Sequence, residues 1–345
     1  MASQHREAVR TSVNTSHSAS ALPTALYGGQ AIIEGVMFKS ASALSLAVRL
    51  PNGKIHTEAT AYSSATRRLH LHRVPIIRGI SVFVEMFYIG ISYLNKSAEL
   101  ALSELERGKK KTVAVAKSAK YVAAKSSAKD SGSSFFTTVL LVVSFLISTV
   151  LALLAFKFLP LELASLLWNR ATVFPLFFTL TEGFIKLCVF VIYLYAISLM
   201  KDVHRVFQYH GAEHKVIRAF EAGKKLTIAN VKAASRYHPR CGTSFVVFVI
   251  LISVIVYSFL PLSLPLWNLF LIRIALLPLL AGISYEVLTL TAHIDEKSFW
   301  SFMLKPGYFV QSLTTAEPTA RQIEVSIAAF NACKNKTEPI IRTSN

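Results

Sequence analysis

Three side chains in the segment YHGAEHKVIRAFEAG (209–223) carry the first chemical signal: His210, Glu213 and His214. On a helix, positions i, i+3 and i+4 share one face, so both imidazoles can reach one metal ion while the carboxylate addresses a bound water. The order His-x-x-Glu-His is that of the inverted zinc peptidases. A histidine pair with a glutamate also decorates ordinary polar helix faces. A second cluster, His238-Pro239-Arg240-Cys241, lies further along the same loop and strengthens the metal reading, because imidazole and thiolate are both good zinc ligands. The expected ligands are His210, His214, His238 and Cys241, with Glu213 as the base and Arg240 as a supporting residue. The expected cofactor is a divalent metal, zinc first and iron second.

Glu286 sits inside the apolar run LWNLFLIRIALLPLLAGISYEVLTL (266–290). An ionisable residue in such a run is costly and is a functional hypothesis by default. It is expected as a distal ligand or a general base, against the plainer alternative of a carboxylate snorkelling to the interface. Arg273, towards the other end of the run, reads as an anchor. Glu34 follows Gly28-Gly29 and precedes Gly35, glycines that permit close backbone approach, so it is expected as a partner behind the metal ligands. Arg78 and Glu85 are weaker candidates of the same kind.

The elements that must position these residues are mostly apolar. Hydrophobic residues make up 53% of the 345-residue chain, charged residues only 16%, and the mean hydropathy is +0.47. Soluble domains are about 25% charged. The fold class this implies is mainly α: a polytopic α-helical membrane protein with about four transmembrane helices and a small cytoplasmic α+β portion. The expected spans are 135–159, 184–200, 244–262 and 266–290, each close to the ~20 apolar residues a bilayer requires. They form two hairpins, 135–200 and 244–292, joined by the loop 201–243. That loop holds nine Lys and Arg residues, whereas 160–183 holds only Arg170. Basic loops stay inside, which predicts a bacterial inner-membrane protein with both termini cytoplasmic. The excess of 37 Lys+Arg over 19 Asp+Glu, a net charge of +18, then belongs to loops facing anionic headgroups and not to nucleic-acid binding.

Outside the spans, residues 1–26 are Ser/Thr-rich and lack an apolar core, so they read as a disordered extension and not as a secretory signal. Residues 27–106 hold a β-hairpin, with LSLAVRL (44–50) and IHTEATAY (55–62) flanking Asn52-Gly53. After it comes a helix over 74–108. Glu85 interrupts its apolar part, which reads as interfacial or re-entrant. Residues 107–134 are a Lys/Ala/Ser linker in contact with headgroups. Residues 293–345 are a cytoplasmic segment whose helix packs on the loop. Cys188 and Cys333 carry no signal of their own.

Five blocks in order, YGGQAIIEGVMFKS (27–40), PIIRGI (75–80), YHGAEHKVI through HPRCGTSF (209–245), LLPLLAGISYE (276–286) and QSLTTAEPTARQIEVSIAAF (311–330), resemble the bacterial membrane family DUF1385, the YqhQ-like proteins. The one departure noted is Phe38, where the family pattern carries a second Met. The resemblance implies a predicted metal-dependent enzyme, a label inferred from the residues matched here by His210, Glu213, His214, His238 and Cys241. The expected function is a metal-dependent hydrolase at the cytoplasmic membrane face, acting on a membrane-associated substrate. The alternative is a non-enzymatic transporter or assembly factor with a structural metal. The oligomeric state stays open.

Overall fold

The computed structural model describes residues 27–107 and 133–342. The expected N-terminal extension and nearly all of the basic linker lie outside the described residues. Four strands come first: β1 (Gly28–Ile32), β2 (Gly35–Lys39), β3 (Ala43–Arg49) and β4 (Ile55–Ala61). They pair antiparallel in sequence order, with Ile32 opposite Gly35, Phe38 opposite Ser45 and Val48 opposite His56. The Asn52-Gly53 turn joins β3 to β4, with Gly53 at φ 84°. The glycine-rich segment ahead of it forms a second hairpin, β1–β2, which turns at Ile33-Glu34 with Glu34 left-handed at φ 55°.

Alternation along the strands serves two cores. Val36, Phe38, Ala43 and Ala47 point to one face, where they meet Tyr209, Val216 and Phe330. Met37, Leu44, Leu46 and Val48 point to the other, where they meet Ile89. A sheet buried on both faces needs apolar residues at both parities, which β2 and β3 supply.

The helices are α1 (Ala65–Arg68), α2 (Ile77–Arg107), α3 (Ser133–Leu153), α4 (Leu159–Leu167), α5 (Pro175–Ser198), α6 (Lys201–Glu221), α7 (Ile228–Lys232), α8 (Gly242–Tyr257), α9 (Leu266–Ala275), α10 (Leu277–Thr291), α11 (Lys305–Thr314) and α12 (Ala320–Arg342). A π-helical stretch, Leu154–Phe158, joins α3 to α4. The C-terminal helix α12 does pack on the loop and sheet: Ser45 Oγ donates to Ala329 O at 2.7 Å, and the Ser40 and Thr337 hydroxyls meet at 2.7 Å. The chain is mainly helical with a small antiparallel sheet, as the composition implied.

Among the described residues, three helical stretches are long and apolar enough to cross a membrane: Ile77–Ala101, Val143–Leu167 and Pro175–Ser198. The pair α9 and α10, bent by 49° at Leu276, makes a fourth if counted as one broken span. Two sequence expectations shift. The second span begins at Pro175 and not near residue 184, because Pro175 occupies the first helical turn and Glu182 is neutralised inside the protein by Lys186. The third, α8, is an apolar helix of only 16 residues.

Helix α2 covers nearly all of the expected 74–108. Its apolar part, read from sequence as an interfacial or re-entrant stretch, is long enough at Ile77–Ala101 to cross a membrane. Its charged interruption, Glu85, accepts hydrogen bonds from Tyr62, Ser64 and Thr66 and from the Ala65 amide, so the carboxylate is satisfied without leaving the helix. Its inner face covers the sheet through Ile89, while Phe83, Val84, Phe87 and Tyr88 stay exposed.

Candidate metal centre

Helix α6 presents His210, Glu213 and His214 on one face, as the spacing required, and the side chains of all three are largely buried. Each imidazole is aimed by a backbone carbonyl. His210 Nδ1 lies 2.9 Å from Thr314 O and His214 Nδ1 lies 2.5 Å from Arg236 O. A carbonyl only accepts, so both Nδ1 atoms carry the proton and both Nε2 atoms are left as the ligating nitrogens. Cys241 caps α8, and its Sγ comes within 3.3 Å of His210 Nε2. Donor atoms of His210, His214 and Cys241 all lie within 4.8 Å of one another. Zinc–nitrogen and zinc–sulfur bonds of about 2.0 and 2.3 Å in a tetrahedron put N and S about 3.5 Å apart. The His210–Cys241 pair matches that spacing, while the set as a whole, spread over up to 4.8 Å, would have to draw together around an ion.

Electrostatics make His210 and Cys241 an ion pair, in which His210 must give up a proton before its Nε2 can ligate. Burial disfavours the charged forms of both His210 and Cys241, but each overrides it for the other. The sulfur, and after it the Glu213 carboxylate, raise His210 to about 9. His210 and His214 hold the Cys241 thiol well below the ordinary thiol range. A thiolate is the form that ligates a metal.

Glu213 completes the group. Its Oε2 lies 3.6 Å from His214 Nε2 and 4.0 Å from His210 Nε2. The side chain lies directly over the backbone of β1: a Cβ at Gly29 would meet Glu213 Cγ at 2.7 Å and Met37 O at 2.9 Å. The Gly28-Gly29 pair thus has one member required for close approach.

His238 is not drawn into the group. Its Nε2 faces Glu221 at 3.3 Å, its Nδ1 accepts from the Arg240 amide at 3.3 Å, and its ring centroid is 5.7 Å from that of His214. With both nitrogens engaged, it is a neighbour of the cluster and not the fourth ligand expected. Burial pushes its pKa down against the pull of Glu221. Arg240 also pairs with Glu221, so it supports the His238 turn at one remove from the donors.

The other two carboxylates read as site residues bond neighbours and not the donors themselves. Glu286 is gripped by the Arg78 guanidinium and accepts from the Ile76 amide at 3.2 Å, tying α10 to the start of α2. That partner removes it from the donors. Glu34 pairs with Arg205 at 2.7 Å and receives the Tyr209 hydroxyl at 3.4 Å, one turn before the cluster on α6.

Sequence reasoning missed Glu221 and Gln311. Glu221 stands seven residues after His214, two helical turns along the same face, so its proximity was readable. Gln311 gave no such signal. It accepts from His238 N at 2.9 Å and donates to His238 O at 2.8 Å and Ser244 Oγ at 2.9 Å. This fully buried amide pins the turn that carries Cys241.

With this arrangement in view, the chain's relatives can be placed. Residues 74–336 match the family described as protein of unknown function, DUF1385, and the chain belongs to that family. It is similar to the uncharacterized protein YqhQ of Bacillus subtilis (strain 168), 36% identical over 318 residues that cover 88% of this chain and 91% of the relative. No solved structure matches it.

Replacing Gln311 by Ala leaves the buried His238 amide and carbonyl without partners, at about 1–3 kcal/mol for each unsatisfied group. The Gln311→Ala protein should therefore melt several degrees lower than wild type in a thermal unfolding scan. An unchanged melting temperature would mean that the turn is held by other contacts.

Proposed function

We propose that this protein is an integral membrane metalloenzyme, a hydrolase whose centre lies at the cytoplasmic face and serves a membrane-associated substrate. The observation that carries the reading is the convergence of His210 Nε2, His214 Nε2 and Cys241 Sγ within 4.8 Å. Three protein ligands leave a tetrahedral ion with one open position, as in catalytic zinc sites. Zinc suits mixed imidazole and thiolate donors, with iron the second choice. When bound, the ion supplies a Lewis acid that makes water nucleophilic near neutral pH.

The remaining parts belong to the chain. The Thr314 and Arg236 carbonyls hold the imidazoles in the ligating tautomer. Glu213 Oε2, beside both Nε2 atoms, is the atom that takes the proton. Glu221 and Arg240 fix the turn through His238. Glu286 is given no role in this reading, since its carboxylate is taken up by Arg78.

One observation favours a second reading, in which the metal is structural and the protein is a transporter or assembly factor. Glu213 is only 4% exposed and wedged against Gly29, so it could close the site as a fourth ligand. A closed four-ligand site would be structural.

The membrane placement rests on four crossings: Val143–Leu167, α5, the short α8 and the bent pair α9–α10. An interfacial α2 is supported by its inner face, which covers the sheet through Ile89, although its apolar length alone would allow a crossing. The basic loop between α5 and α8 supports a reading in which that side, and both termini, face the cytoplasm and anionic headgroups of a plasma membrane.

Metal analysis tests the centre. Protein purified without chelators should carry near-stoichiometric zinc or iron, and His210→Ala/His214→Ala should lose it. Glu213→Gln should keep the metal under the enzyme reading and release it under the structural one. A well-folded wild type that neither holds nor reloads metal overturns both. Placement is tested by reporter fusions. A fluorescent protein fused after Asn345 should fluoresce, and alkaline phosphatase fused after Arg170 should be active; the reverse pattern overturns the orientation.

A further inference from the structure

Far from the metal donors, the apolar helices enclose a second polar cluster that the sequence had dispersed. Glu182 reads from sequence as part of a loop, Lys186 as the start of a span and Arg273 as an anchor. The fold brings them together: the side chains of Glu182 and Arg273 are each 2% exposed and that of Lys186 is 5% exposed. Lys186 Nζ lies 3.2 Å from Glu182 Oε1, and Arg273 Nη1 pairs with Glu182 Oε2. Tyr257, at the end of α8, presents its ring to three cations, with Arg273 Cζ at 4.8 Å, Lys186 Nζ at 5.2 Å and Lys157 Nζ at 6.0 Å from the centroid. Its hydroxyl donates to Arg273 O at 3.1 Å.

The charges do not balance. Glu182 is the one carboxylate among these groups, against Lys157, Lys186 and Arg273. Arg273 Nε and Nη2 are also buried without a hydrogen-bond partner. A cation–π contact offsets roughly 0.5–2 kcal/mol, whereas burying an ion costs several kcal/mol unless it is paired. Backbone irregularity gathers at the same place. Lys157 lies in the π-helical stretch Leu154–Phe158, and the 49° break between α9 and α10 follows Arg273 by three residues. π-Helical turns and broken helices inside apolar bundles recur at binding sites.

We propose that this cluster binds one small monovalent anion, held by Lys157 and the free Nε and Nη2 edge of Arg273. Its source is the aqueous phase and not a lipid headgroup. Lys186 lies eleven residues into α5, which at 1.5 Å per residue is about 16 Å along the axis. That is the middle of a hydrocarbon core about 30 Å thick. This choice of source, though not the charge imbalance, rests on the membrane placement proposed above.

The test is thermal unfolding of the full chain in detergent, with chloride as the probe and gluconate, too large for such a site, as the control at equal ionic strength and pH. Chloride should raise the melting temperature saturably, and gluconate should not. Lys157→Met should abolish the chloride response while keeping the wild-type melting temperature in gluconate. Glu182→Gln, which removes the carboxylate, should shift the chloride midpoint at least tenfold lower; if that variant does not fold, wild type and Lys157→Met decide. Equal melting temperatures of wild type in the two salts would overturn the proposal and leave the Glu182–Arg273 pair balanced beside neutral lysines. A chloride response that persists in Lys157→Met would overturn it equally, placing the anion elsewhere. The experiment needs no bilayer and no orientation, so it fails or succeeds independently of the fusion reporters.

Discussion

Three consecutive polar residues on α6, Glu213, His214 and Lys215, are each no more than 4% exposed. Burying them demands a partner for every donor and acceptor, since an unsatisfied buried polar group costs ~1–3 kcal/mol and an unpaired charge more. Much of the loop side of the molecule answers that demand. Lys215 Nζ donates to the Lys232 and Ala234 carbonyls at 3.0 and 2.9 Å and pairs with Glu317 at 3.1 Å. His214 takes the Arg236 carbonyl, and His210 on the next turn takes that of Thr314. Residues 232–236 and 314–317 are therefore positioned by α6, and Cys241 is delivered to the imidazoles as a consequence.

The sheet is the other half of this arrangement. It backs α6 through Tyr209 and Val216 on one side and rests on α2 through Ile89 on the other. Gly29 lets β1 come down onto the Glu213 side chain, so the strand acts as a lid over the carboxylate. Helix α12 locks the sheet from the same side as α6, with Phe330 packed against both Tyr27 and Phe38 at centroid distances of 4.8 and 5.3 Å. The rigidity this confers on three donors and one carboxylate is what a metal-binding geometry requires.

The two polar clusters obey opposite rules. At the α6 centre, the Cys241 thiol and the Glu213 carboxylate face two imidazoles, the grouping on which the proposed cation site rests. Between α5, α8 and α9, excess positive charge surrounds one carboxylate and awaits an anion. The first was legible in the sequence because its residues are close in the chain and recur at helical spacing. The second was not, because Lys157, Glu182, Tyr257 and Arg273 come from different helical segments, and no spacing along the chain signals that they meet. Glu286 shows the same limit from the other direction: its apolar surroundings mark it as exceptional, but only the fold reveals that Arg78 takes it up.

By itself the sequence determined what local periodicity and composition control. These are the apolar helices, the Asn52-Gly53 hairpin, the shared helix face of His210, Glu213 and His214, and the family to which those blocks point. Such features depend on residues within a few turns of one another, where backbone geometry dictates which side chains are neighbours. Tertiary structure decided the choice among chemically equal candidates. It brought Cys241 to the imidazoles and turned His238 to Glu221, sent Glu286 to Arg78, and gathered four dispersed ionisable residues around or beside Tyr257. Those choices turn on which buried group finds a partner, and the partners are carbonyls, amides and charges supplied by segments distant in the chain.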